Sequence, residues 1–193
     1  QSFVGMHKVP LVHGMTIAEY AKMVNGEGWL SKKMTCNLMV IPCKNYNHNT
    51  RYSLPIPPSP NLRSDASIQL YPSLGLFEGT VISVGRGTEI LIGYPDCSYC
   101  NYEFTPKSGY GSKYPKHENI LCKGFKLTEF GLTEIPKQKS LYLNWLIGLY
   151  KDTENKEAFF SNPKFFDKLA GNSTLREQIQ DNYSEFQIKN SWK

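Results

Sequence analysis

The chain has 193 residues and a formal charge of +5, from 22 Lys and Arg against 17 Asp and Glu. Hydrophobic residues make up 40% and charged residues 20%. That is a globular composition with material for a core, and it excludes a coiled coil or wholesale disorder.

The longest helix-like apolar stretch runs from Leu141 to Tyr150 and contains Asn144. A membrane span needs about 20 apolar residues, so none is expected. Basic residues are scattered, as at Lys32-Lys33 and at Lys137 and Lys139. They lack the basic stripe with interleaved stacking aromatics that marks a nucleic-acid surface, so no nucleic-acid partner is expected. The chain opens at Gln1 without a charged n-region and apolar h-region. It reads as a processed, truncated or partly ordered product of something longer.

In chain order, Thr16-Ile17-Ala18-Glu19 is a capping box. Ile17, Tyr20, Ala21 and Val24 recur behind it at helical spacing, which predicts a helix from Thr16 to about Asn25. Leu38 to Ile41 is a short apolar run closed by Pro42 and predicts a buried strand. Leu54 to Pro60 carries four prolines and predicts an extended connector. Ser67 to Tyr71, Glu89 to Ile92 and Gly124 to Phe130 read as strands. The tail reads as helices over Leu141–Tyr150, over Pro163–Ala170 closed by Gly171, and behind Ser173 as its N-cap, with Leu175 and Ile179 inward. Strand–helix alternation followed by strands and then helices predicts α/β passing into α+β.

Cys36, Cys43, Cys97, Cys100 and Cys122 are odd in number and cannot all pair within the chain. A Cys₃His zinc site from Cys97, Cys100, Cys122 and His117 is conceivable. One CxxC is weak support, however, and the preferred reading is small buried hydrophobes with no metal. Pro95-Asp96 before the CxxC and Asn101 after it predict a loop.

The segment from Glu78 to Thr88 sets Gly79, Gly85 and Gly87 among Glu78, Thr80, Ser83, Arg86 and Thr88. Glycines permit close backbone approach, so several hydrogen-bonding groups can converge on a ligand. A P-loop and a dinucleotide fingerprint are both excluded by the offsets. The alternative is a structural turn held by an Arg–Glu pair. His13 precedes a helix N-terminus and is an anion-binding candidate, or it simply caps and packs. Asn61, after the connector, either binds ligand or closes an Asx-turn.

Several motifs occur in a set order. They are His13-Gly14-Met15-Thr16, Pro58-Ser59-Pro60-Asn61, Leu70-Tyr71-Pro72, and Leu76-Phe77-Glu78-Gly79-Thr80 leading to Gly85-Arg86-Gly87-Thr88. Phe104-Thr105-Pro106 and Leu169-Ala170-Gly171 with Leu175-Arg176 follow. Together they resemble the exo-β-N-acetylmuramidase family of bacterial peptidoglycan hydrolases, from about Ser2 to Trp192. The resemblance implies a Rossmann-like domain followed by a smaller domain, and release of N-acetylmuramic acid from non-reducing glycan ends. It implies that this chain matches the later half. The proline-rich break at Leu54–Pro60 and the change of element pattern divide the chain into residues 1–62, expected to end the Rossmann-like layer, and 63–193, expected to form an auxiliary α+β domain. The N-terminal half, with the main catalytic acid, would then be a partner outside this chain. The sequence departs from relatives at Ile90-Leu91, where Pro-Phe is usual.

On this reading Glu78 is a second catalytic carboxyl or a hydroxyl acceptor. Arg86 is a fork for the lactyl carboxylate, with His13, Asn61, Thr80, Ser83 and Thr88 as further substrate contacts. No cofactor is required. A non-catalytic glycan-binding module and an inert structural domain remain the alternatives. The implied substrate points to a periplasmic or exported protein, with cytoplasmic recycling as the other possibility.

Overall fold

The structure is a computed structural model, described over residues 4–86 and 91–192. It divides into two compact units, residues 7–53 and a larger one built from residues 54–193 with the first six residues.

In the 7–53 unit, helix α1 spans Ile17–Gly26. The Thr16 side chain accepts the Glu19 N–H, and the Glu19 carboxylate accepts the Thr16 N–H, closing the expected capping box. Glu19 also pairs with His48 at 3.0 Å. The bonds from Thr16, followed by that from His48, lower the Glu19 pKa to about 2. Asn25 holds both backbone groups of Cys36.

The strand expected at Leu38–Ile41 does not form. Met39 and Ile41 are 88% and 85% exposed, and the described residues of this unit contain no strand. An apolar run becomes a strand only when a neighbour takes its N–H and C=O groups, and none of the described residues pairs with this one as a strand.

The larger unit begins with the irregular proline connector and a tight turn, in which Leu62 donates to Ser59 O at 3.0 Å. Helix α2, Asp65–Leu74, corrects the strand expected at Ser67–Tyr71. Ser64 and Ser67 cap its start reciprocally, and this Ser-x-x-Ser cap decides for helix over the strand that the apolar run suggests. A 3-10 turn, Gly75–Gly79, follows.

Strands β1 (Leu91–Tyr94), β2 (Tyr102–Phe104) and β3 (Cys122–Lys126) form an antiparallel sheet in the order β1-β3-β2. Gly93 and Tyr102 both stand opposite Gly124. The expected Glu89–Ile92 strand is therefore placed from Leu91 onward, and residues 89–90 lie outside the described ones. The strand expected to run to Phe130 ends at Lys126, because helix α3 begins at Thr128.

Helices α3 (Thr128–Thr133), α4 (Ile135–Gln138), α5 (Asn144–Asp152) and α6 (Lys156–Phe159) follow, then α7 (Pro163–Ala170), α8 (Thr174–Gln180) and α9 (Glu185–Asn190). The Ser173 side chain makes no cap bond to α8, contrary to expectation. Leu70, Phe77, Ile82, Ile92, Leu146, Phe166 and Ile188 are among the wholly buried residues of the core. Phe159, Phe160 and Phe166 meet edge to face, which adds to their area burial.

The cysteines correct the reading as buried hydrophobes. Cys97 and Cys100 form a disulfide, Cys36 and Cys43 are exposed, and Cys122 alone is a buried thiol. The CxxC lies in the β1–β2 loop. Ser98 and Tyr94 of this region bond to Asp152 at the end of α5, with the Tyr94 hydroxyl at 2.7 Å. Burial pushes the Asp152 carboxyl up, but the Ser98 and Tyr94 bonds outweigh it and hold the group below the usual range. Among the described residues no three His, Cys, Asp or Glu side chains are grouped to hold a metal.

Candidate functional site

The 3-10 turn presents Glu78, and the loop after it presents Arg86. The turn can lie where it does because residue 79 is glycine. A Cβ there would stand 2.6 Å from Phe166 Cβ and 2.8 Å from Phe166 Cα in α7. The Gly79 carbonyl accepts the Asn162 N–H at 3.0 Å, and Val81 N–H reaches Phe159 O at 2.9 Å. Ser83 and Gly93 exchange both backbone bonds, at 2.9 and 3.0 Å. Gly85 then adopts φ +52°, a left-handed turn that glycine takes without strain. The chain is thereby folded back so that Arg86 Nη2 meets Glu78 Oε1.

The pair belongs to the walls of two cavities. The first, about 340 Å³, is lined by Ser59, Asn61 and Leu62 from the turn, Ser67, Tyr71 and Leu74 from α2, and then Gly75, Glu78, Val84, Gly85 and Arg86. The second, about 240 Å³, shares Glu78 and Val84–Arg86 and adds Ile82, Ser83, Ser112, Tyr114, Pro115 and Lys116. Glu78 is 26% and Arg86 39% exposed at the side chain, so the pair is open to a ligand.

Asn61 is the most telling wall residue. Its N–H bonds to Ser59 Oγ at 3.2 Å, so the serine and not an Asx-turn closes this corner. Its side-chain Oδ1 is buried and accepts no hydrogen bond among the described residues. A buried acceptor without a donor is costly, and a ligand N–H or O–H would relieve it.

The other expected contacts fall differently. Thr80 is wholly buried and lines neither cavity. Its hydroxyl donates to Phe77 O at 2.9 Å and accepts from Ile82 N–H at 3.2 Å, which makes it a support of the loop. Ser83 is buried in the wall of the second cavity. His13 belongs to the 7–53 unit, where Nδ1 accepts the Met15 N–H at 3.0 Å and the ring tilts against Tyr20. Thr88 and Gly87 lie outside the described residues.

Ser59 and Tyr71 stand in two of the sequence motifs but carry no assigned role there, and Ser67 and Lys116 stand in none of them. The serines were hidden inside turn and cap motifs. Lys116 reaches the loop from the β2–β3 connection, and no sequence spacing announces that contact. Burial first, then the charge of Arg86, lower its pKa to about 8, with Glu78 opposing.

A carboxylate, a guanidinium, an unmet amide oxygen, hydroxyls and one tyrosine ring thus line the first cavity, within a mixed α/β fold carrying a small antiparallel sheet. The chain belongs to the exo-beta-N-acetylmuramidase NamZ family. Its N-terminal family model matches residues 1–66, and its C-terminal family model matches residues 69–193. The peptidoglycan beta-N-acetylmuramidase NamZ of Bacillus subtilis (strain 168) is 33% identical over 211 residues, covering 99% of this chain and 49% of that protein. A crystal structure of a DUF1343 family protein from Bacteroides fragilis superposes with a TM-score of 0.91 at 46% identity, over 100% of this chain and 55% of that one. A second DUF1343 structure from the same organism, 20% identical with a TM-score of 0.64, covers 98% of this chain and 54% of that one and shares the fold. The chain thus spans about half the length of the relatives it matches.

Proposed function

We propose that this chain carries the sugar-recognising wall of a muramidase that releases N-acetylmuramic acid from non-reducing ends of peptidoglycan fragments. The observation that carries the reading is the first cavity, where the Glu78–Arg86 pair and the unmet Asn61 Oδ1 line one space. A pyranose offers hydroxyls to Glu78, an apolar face to Tyr71 and an acetamido N–H to Asn61. The lactyl carboxylate of muramic acid matches the planar fork of Arg86.

Glu78 is the single carboxylate lining the two cavities among the described residues. Glycoside hydrolysis normally uses two. We therefore read the chain as supplying recognition and at most one catalytic carboxyl, with the main acid contributed from outside it. Residues 1–62 are read as the end of a Rossmann-like layer. The exposed apolar run at Leu38–Ile41 supports this, since further strands would cover it. The Cys97–Cys100 disulfide supports a periplasmic or exported location, because disulfides persist in oxidising compartments.

Calorimetric titration with N-acetylmuramic acid and N-acetylglucosamine, alongside turnover of a chromogenic muramic acid glycoside, tests the proposal. Binding that favours the muramic sugar, with no turnover by this chain, is expected. Absence of binding to either sugar refutes the recognition role. Turnover refutes the assignment of the main acid to a region outside the chain.

A further inference from the structure

We infer that Lys116 is the positioning residue of the Glu78–Arg86 pair, its ammonium holding the backbone that presents both side chains. This inference rests on the sugar-site reading given above.

Six successive carbonyls, from residue 77 to residue 82, are all accounted for. Those of Phe77, Glu78, Thr80 and Ile82 converge on Lys116 Nζ, with Phe77 O at 2.9 Å, Glu78 O at 3.2 Å and Ile82 O at 3.3 Å. His117 Nε2, next in the chain, takes Val81 O at 2.8 Å. Gly79 O turns the other way, to Asn162 N–H at 3.0 Å. Carbonyl dipoles aimed at one point repel each other unless a cation sits there. An ammonium has three N–H donors for these four acceptors, so at least one proton is shared. Glu78 lies within the gathered run, and Arg86 leaves it four residues after Ile82. Lys116 also lines the second cavity, beside the pair it supports.

A comparison lies within the same unit. Lys156 Nζ collects the carbonyls of Tyr150, Lys151 and Thr153 at the end of α5, in the same manner. Lys156 lines neither cavity. The two lysines share a chemical role and differ in what their loops present, so Lys156 is the internal control.

The test compares Lys116→Ala with Lys156→Ala in the full chain. Three quantities are read: affinity for N-acetylmuramic acid, melting temperature, and amide exchange at Thr80, Ile82 and Ser83, whose bonds lie apart from α6. Lys116→Ala is expected to weaken binding and speed exchange by about tenfold or more, the usual scale for losing a charged hydrogen-bond donor. Propylammonium should restore both, and 1-propanol, its neutral isostere, should restore neither. Lys156→Ala should lower the melting temperature while leaving affinity and loop exchange unchanged. Unchanged exchange and affinity in Lys116→Ala, equal rescue by propanol, or equal losses in Lys156→Ala would each overturn the inference. If the wild-type chain binds no N-acetylmuramic acid, the sugar reading fails, and loop exchange still decides the role of Lys116. If Lys116→Ala does not fold, Lys116→Met must speed the exchange and Lys116→Arg must not, and equal behaviour of the two overturns it.

Discussion

Replacing Arg86 with alanine removes one half of an ion pair and the only guanidinium lining the first cavity among the described residues. The two losses differ in size. The pair itself is partly exposed, 39% at Arg86 and 26% at Glu78, so solvent screens it and its rupture costs about 1 kcal/mol or less. A charge-assisted contact to a ligand carboxylate is worth about 1.5–3 kcal/mol, which corresponds to a loss of affinity of about 10- to 150-fold. Calorimetric titration of wild type and Arg86→Ala with N-acetylmuramic acid and N-acetylglucosamine separates the two. The variant should lose that factor for the muramic sugar, much less for the glucosamine, and only a few degrees of melting temperature. Equal losses for both sugars with a strongly lowered melting temperature would show that Arg86 merely holds the loop, and the carboxylate fork would be refuted.

Three further outcomes follow from the packing and the charges. Glu19 has a depressed pKa, so its support of α1 is complete above the ordinary carboxylate range and is lost as pH falls through about 2. The protection of the amides of residues 17–26, read as exchange relative to the unstructured-chain rate at the same pH, should therefore fall between pH 4.5 and pH 2 in the wild type, and Glu19→Gln should abolish that fall in protection. Gly79→Ala would force a methyl against the Phe166 backbone and should cost about 1–3 kcal/mol in urea unfolding, together with sugar affinity. Reducing Cys97–Cys100, or replacing both with serine, should cost about 2 kcal/mol through loop entropy. An unchanged urea midpoint on adding reductant would count against it.

What the sequence made legible was local chemistry. The Thr16–Glu19 box placed α1, and Gly171 closed α7, because caps act over three or four residues. Strands were harder. Leu38–Ile41 has a strand's composition, but a strand exists only through its neighbour. Ser67–Tyr71 looked equally apolar and became helix once Ser64 and Ser67 satisfied its free N–H groups. At the site, Glu78 and Arg86 of the glycine-rich segment meet as the pair that the structural-turn alternative names. Lys116 and the inward turn of Thr80 were not legible. The Lys116 contact is made far along the chain, its Nζ reaching back 38 residues to Glu78 O, and the Thr80 hydroxyl is held locally by Phe77 O and Ile82 N–H without a motif that marks it.

The central claim is that the cavity lined by Asn61, Glu78 and Arg86 holds the muramic sugar, and mapping ¹⁵N amide shifts of the chain during titration with N-acetylmuramic acid tests it most directly. The account predicts saturable shifts at Asn61, Leu62, Tyr71, Glu78 and Val84–Arg86. Shifts that spare these residues, or no shifts up to sugar concentrations at which weak ligands saturate, would contradict it.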